Sequence, residues 1–105
     1  MKVNYYIKPR AQQDIVEIIR YIYLDNSSAA ERFFSSVLRT AELVLVTPRG
    51  YSLVQFSNLM PTSNALRHRP VVNFPKYEFY YSIKSPSVIE VVRILHGSRN
   101  SKKLL

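Results

Sequence analysis

Hydrophobic residues recur at helical spacing through the first half of the chain. The first stripe has spacings of four, three, one and three and consists of Ala11, Ile15, Ile18, Ile19 and Ile22. This period predicts an amphipathic helix, which Pro9 favours at its start and which we expect to end near Asp25 and Asn26. Asp14 and Glu17 lie in its early turns, where negative charge is favourable next to the positive end of the helix dipole.

A second helical stripe follows after a connection of about three residues. Ser28 and Glu31 match the capping-box pattern of a helix start. Thr47 followed by Pro48 marks the helix end, because the residue before proline avoids the helical conformation. The stripe between them consists of Ala30, Phe33, Phe34, Val37, Leu38, Ala41 and Leu45. With so short a connection, the two helices are expected to pack as an antiparallel hairpin.

Strand patterns occupy most of the remaining chain. Residues 3–7 are short, β-branched and aromatic, and they predict a first strand. Residues 49–65 mix turn formers with apolar residues without a period, and they predict a loop. Residues 66–72 predict an edge strand, because Pro70 cannot donate a hydrogen bond to a neighbouring strand.

Two stronger strands close the pattern. In residues 76–83, period two places Tyr77, Phe79, Tyr81 and Ile83 on one face. Residues 87–95 contain five β-branched residues and predict a central strand, with residues 84–87 as the turn between the two. The order β-α-α-β-β-β predicts a two-layer α+β fold, with the N-terminal helical hairpin packed on a mainly antiparallel sheet. We expect residues 1–105 to form one domain.

The residue types present exclude several kinds of site. The chain has no cysteine, which excludes disulfides, thiolate nucleophiles and cysteine-bound metals. His68 and His96 are its two histidines, so we expect no metal site and no cofactor. The N-terminus has no apolar core of a signal peptide, and no apolar run approaches the roughly 20 residues that span a bilayer. We therefore expect a cytoplasmic protein that does not enter membranes.

Positive charge is concentrated in the last third of the chain. The net charge is +8, from 15 basic and 7 acidic residues. Residues 67–105 hold eight basic and two acidic residues, against seven and five in residues 1–66. A field of this sign attracts nucleic acid or an acidic protein partner.

The residues at the end of the chain resemble a known signature. Residues 91–100, VVRILHGSRN, resemble the strand-to-tail signature of the ParE branch of the RelE/ParE toxin superfamily. Residues 14–22 (DIVEIIRYI) and 28–33 (SAAERF) are also similar to that branch. Tyr77, Tyr80 and Tyr81 lie where the family has an aromatic-rich strand. The resemblance covers nearly the whole chain and agrees with the predicted order of elements.

The resemblance implies a toxin of a bacterial type II toxin–antitoxin pair, also called a plasmid stabilization protein. ParE-type toxins are understood to inhibit DNA gyrase by binding it, without being enzymes. A ParD-like antitoxin folds its C-terminal segment over the toxin's apolar and basic surfaces, so a hetero-oligomer with the antitoxin is expected. Two alternatives stay open: a RelE-like endoribonuclease that acts on messenger RNA, with or without the ribosome, and a degenerate member without toxicity.

The ribonuclease alternative requires groups that move protons and hold a phosphate. Arg99 and His96 would be its catalytic residues in this chain. RelE-type ribonucleases also have an arginine just after the aromatic residue that opens their third strand, and a tyrosine in the tail. Those two positions hold Glu78 and Leu105 here. Because a carboxylate repels phosphate, the sequence favours binding over cleavage.

The surface expected to bind the antitoxin and the target combines a basic sheet edge with the tail. It consists of Arg67, Arg69, Arg93, His96, Arg99, Lys102, Lys103, Leu104 and Leu105. Arg67 and Arg69 are two residues apart, so on a strand they share a face.

Ordinary structural explanations exist for several of these residues. Arg93, expected on the same face as Ile89, Val91 and Leu95, could pair with Glu17 or Glu90. His96 could form a hydrogen bond in a turn. Gly97 is expected to adopt a positive φ where the strand breaks.

Overall fold

The computed structural model describes residues 4–54 and 65–97, which form two helices and five strands. In chain order these are β1 (Tyr5–Ile7), α1 (Pro9–Asp25), α2 (Ser27–Val46), β2 (Ser52–Leu53), β3 (Arg67–Val71), β4 (Phe74–Ser85) and β5 (Val88–His96). The sheet order is β1-β5-β4-β3-β2. β1 is parallel to β5 and all other neighbours are antiparallel. Both helices pack on the sheet, which confirms the α+β class and the mainly antiparallel sheet.

The strands agree with the sequence patterns except at the sheet edge. β5 lies between β1 and β4, as expected of a central strand. The prediction of a loop at residues 49–65 is wrong at Ser52–Leu53, which forms β2 and pairs with β3; residues 55–64 of that loop lie outside the described part. β2 covers Arg67 and His68 only, so the exposed Pro70 still lies at an edge. Two residues are too few to produce a period, which is why the sequence did not reveal β2.

A single residue, Asn26, joins the two helices. It ends α1, and its side-chain Oδ1 accepts a hydrogen bond from the Ala29 N–H at 3.0 Å. Asparagine is among the best residues at this position because its side chain satisfies an unpaired amide of the first turn. The expected capping box at Ser28 is therefore wrong, as is the longer connection. The Ser28 hydroxyl instead accepts from Arg32 Nη1 at 2.6 Å.

The core lies between the helices and the facing side of the sheet. Phe33 of α2 is fully buried and meets the rings of Phe74 and Tyr77 edge-on, at centroid distances of 5.0 and 5.4 Å. Thr40 of α2 accepts a hydrogen bond from the Val72 N–H at 3.0 Å. These contacts hold α2 against the start of β4 and the turn before it.

Tyr81 is the buried tyrosine that anchors the end of the helical layer. It is 0% exposed, and its hydroxyl donates to the Pro48 carbonyl at 2.5 Å. Burial disfavours the phenolate and raises the pKa of Tyr81 to about 12, although the nearby positive charge of Arg67 partly opposes the rise.

A loss of stability at alkaline pH follows from this raised pKa. Between pH 10 and 12 the unfolded tyrosine releases its proton while the folded one retains it, so stability is present below pH 10 and is lost as pH rises. The expected loss is about 2 kcal/mol over that range. Urea unfolding at pH 9 and 11.5 should show a loss in the wild type that is smaller in Tyr81→Phe. The exposed Tyr6→Phe is the control; equal losses in all three proteins would contradict the assignment.

Candidate partner-binding surface

A buried ion pair joins the end of β5 to α1. Arg93 and Asp14 are only 9% and 4% exposed. Arg93 Nε and Nη2 donate to Asp14 Oδ2 and Oδ1 at 2.7 and 3.0 Å, and the Ile94 N–H donates to Oδ2 at 3.1 Å. The Asp14 carboxylate thus accepts a bidentate pair of hydrogen bonds from the Arg93 guanidinium and a third hydrogen bond from a backbone amide.

The ion pair forms where β5 has lost its outer neighbour. β1 pairs with β5 only as far as Val91, so beyond that residue α1 lies beside the edge of β5. The Ile94 amide would lack an acceptor there without Asp14, and an unpaired buried amide costs about 1–3 kcal/mol. Asp14 and the α1 residues around it therefore cover the edge of β5 that β1 leaves open beyond Val91.

A bulge in β5 changes which face Arg93 occupies. Arg93 lies across from Tyr80, whereas Val91 lies across from the next residue, Tyr81. Neighbouring residues of a strand point to opposite faces. The expectation that Arg93 shares a face with Ile89 and Val91 is therefore wrong, because the alternation breaks at the bulge.

Arg93 keeps its charge despite burial. The hydrogen bonds that Arg93 donates to Asp14 raise the pKa of Arg93, burial opposes the rise, and the negative charges of Asp14 and Glu17 support it. Glu17, one of the two carboxylates expected as a partner, thus contributes at longer range, while Asp14 makes the direct contact. These contacts give Arg93 a structural role, and its role in binding stays a prediction.

His96 is the last residue of β5 and lies across from Tyr77. The two rings meet edge-on with centroids 5.2 Å apart. The next amide, that of Gly97, donates to the Lys76 carbonyl at 2.7 Å, so pairing with β4 continues to the last described residue. Gly97 does not have a positive φ, and that expectation is wrong.

An open cleft of about 520 Å³ lies between α1 and the end of β5. Its walls include the Asp14–Arg93 pair and His96, with Arg10 and Tyr21 contributed by α1. The cleft thus brings Arg93 and His96, two of the expected binding residues, to one place, next to the point where the tail begins.

Arg67 and Arg69 lie elsewhere, on β3, with β4 between them and β5. They lie across from Tyr81 and Phe79, so they share a face as expected. Arg67 Nη1 donates to the carbonyls of Arg49 and Tyr51 at 3.2 and 2.7 Å. The Arg69 guanidinium lies 5.5 Å from the centroid of the Tyr51 ring. Both arginines therefore hold the segment that follows α2.

Between these two arginines on β3, His68 forms a pair with Glu78 of β4. His68 Nδ1 lies 2.9 Å from Glu78 Oε2, and the His68 ring stacks on Tyr80 at 5.8 Å. Glu78 is thus held in a contact between β3 and β4.

The remaining five residues of the expected binding surface belong to the tail. Outside the described residues lie Arg99, Lys102, Lys103, Leu104 and Leu105.

Asp14 is the residue that sequence reasoning missed. A signal was present: Asp14 lies between Ala11 and Ile15 on the apolar stripe of α1, where an acidic residue is buried and needs a partner.

No helix in the described part of the chain has the length and apolarity to cross a membrane. Within residues 4–54 and 65–97, no group of three or more histidine, aspartate or glutamate side chains could hold a metal ion.

Comparison with known proteins places the chain in a family. A search of the curated proteins found no match. A family model described as the ParE toxin of the type II toxin–antitoxin system parDE matches residues 5–101. The match spans all the strands and helices described above, and the chain therefore belongs to the ParE family of type II toxin–antitoxin toxins.

Proposed function

We propose that this toxin arrests growth by binding DNA gyrase, and that a ParD-like antitoxin binds it and neutralises it. Both partners are those implied by the resemblance to ParE-type toxins. The net charge of +8 favours association with acidic macromolecules. Gyrase acts on the chromosome, so the proposed place of action is the cytoplasm.

The observation that carries binding over cleavage is the environment of Glu78. Ribonuclease chemistry needs cations around the scissile phosphate. Here the matching position holds a carboxylate, and His68 lies against it at 2.9 Å. Replacing a cation by an anion removes phosphate stabilisation and adds repulsion. His96, the expected acid or base of the alternative, packs its ring against Tyr77.

The proposed working surface is the end of β5 with the tail that follows it. Gly97 is paired with Lys76, and residues 98–105 carry Arg99, Lys102, Lys103 and two terminal leucines. Cations capture an acidic surface, and leucines bury apolar area once docked. Such a segment can bind without any reaction centre.

Purified toxin is expected to inhibit supercoiling by purified gyrase and to increase cleaved DNA. Arg99→Ala should weaken inhibition roughly 30-fold, the effect of losing about 2 kcal/mol from an important interface arginine. Arg39→Ala removes an exposed cation from α2 and should leave inhibition unchanged. Normal supercoiling at toxin concentrations that arrest growth would contradict the proposal, and a protein that neither arrests growth nor inhibits gyrase would be the degenerate alternative.

A further inference from the structure

An apolar groove runs along the outer edge of β1. Its volume is about 600 Å³, and Tyr5, Ile7, Ile15 and Ile19 contribute to its lining. Three further lining side chains are large, apolar and about half exposed: Tyr6 at 54%, Val16 at 47% and Phe34 at 46%. Single exposed apolar residues are ordinary, but a contiguous set from a strand and two helices is typical of a binding surface.

The backbone of β1 leaves hydrogen-bonding groups facing this groove. The Asn4 carbonyl and the Lys8 amide bond to β5. In a parallel pair alternate residues face the neighbour, so residues 4, 6 and 8 face β5 while Tyr5 and Ile7 face outward. β1 ends the sheet order, and no described strand pairs with its outer side.

Gln12 sets the length of the open edge. Its Nε2 donates to the Ile7 carbonyl at 2.8 Å, which occupies the last outward acceptor of β1. The amide and carbonyl of Tyr5 and the amide of Ile7 are left facing outward. The open edge therefore offers three backbone hydrogen bonds, and α1 closes it beyond Ile7.

We propose that this groove receives an extended segment of the antitoxin, which adds a strand beside β1. An added strand is the peptide conformation that satisfies a row of outward amides and carbonyls, and its alternate side chains enter pockets on one face. About 4.8 Å outside β1, those side chains would contact Val16 and Phe34. The segment is therefore apolar at every second position over three to four residues.

Charge at the end of β1 favours an acidic segment. Lys8 follows β1 and is exposed, and its salt-bridge partner Glu90 lies 4.0 Å away. Glu90 also contacts Lys84 at 3.7 Å, so two ammonium groups share one carboxylate. The remaining positive charge attracts an acid that flanks the apolar positions. This inference rests on the proposed antitoxin, and it names the chemistry of the antitoxin segment and its place on the toxin.

Amide hydrogen exchange tests the added strand directly. In the free toxin, the amides of Tyr5 and Ile7 should exchange quickly and that of Tyr6, which faces β5, slowly. In the complex with a co-expressed ParD-like antitoxin, the Tyr5 and Ile7 amides should slow by about tenfold or more, as expected for newly made hydrogen bonds. The Tyr6 amide is the control within the same strand. Fast exchange at Tyr5 and Ile7 in the complex would overturn the inference.

A substitution tests the apolar side of the groove. Phe34→Glu should weaken antitoxin binding roughly 30-fold, corresponding to about 2 kcal/mol, with gyrase inhibition unchanged. Val46→Glu, at an exposed site on the same helix, is the matched control and should bind normally. Thermal unfolding of both variants shows whether they fold.

The outcomes separate this inference from the proposed function. If wild-type toxin does not bind the antitoxin at all, the proposed antitoxin partnership fails. If it binds but Phe34→Glu binds equally well, only the groove assignment fails. If Phe34→Glu loses gyrase inhibition or self-association instead, the groove belongs to the target or to a second copy, and the inference is overturned.

Discussion

Replacing Asp14 with alanine is expected to destabilise the protein by about 3–5 kcal/mol, because it removes the carboxylate that balances the charge of the buried Arg93 guanidinium. The change removes the two carboxylate oxygens that accept hydrogen bonds from Arg93, one of which also accepts from the Ile94 amide. It also removes these hydrogen bonds between α1 and β5, at an edge where no described strand pairs with β5 beyond Val91. Urea or guanidinium unfolding of the purified variant measures the loss.

Two further variants separate the charge from the packing. Asp14→Leu combined with Arg93→Leu removes both charges and should recover much of the stability, since an apolar pair can replace a buried ion pair at little cost. Glu17→Ala removes an exposed carboxylate one turn away and should change stability by less than about 1 kcal/mol. If Asp14→Ala were as mild as Glu17→Ala, the ion pair would not hold the helix to the sheet.

Ending the chain after Gly97 is expected to abolish growth arrest while the core still folds. β5 ends at His96, and the Gly97 amide donates a hydrogen bond to the Lys76 carbonyl of β4. The truncation removes three cations and two leucines. Losing even one hot-spot contact costs about 2 kcal/mol of binding, or roughly 30-fold in affinity. Growth after induction, affinity for the antitoxin and thermal unfolding are the measurements.

Point variants of the full chain identify which part of the tail acts. Arg99→Ala with Lys102→Ala and Lys103→Ala tests the cations, and Leu104→Ser with Leu105→Ser tests the apolar end. We expect the charge variant to associate with the target more slowly than the wild type, and the leucine variant to dissociate from it faster. A truncated protein that arrests growth as strongly as the full chain would make the tail irrelevant.

The sequence predicted the parts of the fold that depend on long periodic patterns. The stripes of α1 and α2 and the alternation in β4 and β5 each extend over many residues, and that repetition predicts the type of each element. Burial follows the stripes less closely, since Phe34 of the α2 stripe is 46% exposed. β2 is two residues long and Asn26 acts alone, so neither could show a pattern. The helix start therefore depended on local hydrogen-bond geometry, in which Asn26 took the role expected of Ser28.

The candidate site was less predictable because it depends on contacts between distant residues. Asp14 and Arg93 are 79 positions apart, and a single bulge decides which side of the sheet Arg93 occupies. Arg67 was expected in a partner surface because of its charge; its guanidinium donates to two backbone carbonyls after α2, and its role in binding stays a prediction. Charge counted along the chain does not distinguish cations that hold the fold from those that remain for a partner.

The most direct test of the central claim compares the two possible targets with one toxin preparation. Purified toxin is added to translating ribosomes, with messenger 5′ ends mapped, and separately to gyrase with supercoiled DNA. Binding without cleavage predicts unchanged messenger ends and inhibited gyrase. New messenger ends that disappear in Arg99→Ala, with gyrase unaffected, would contradict it.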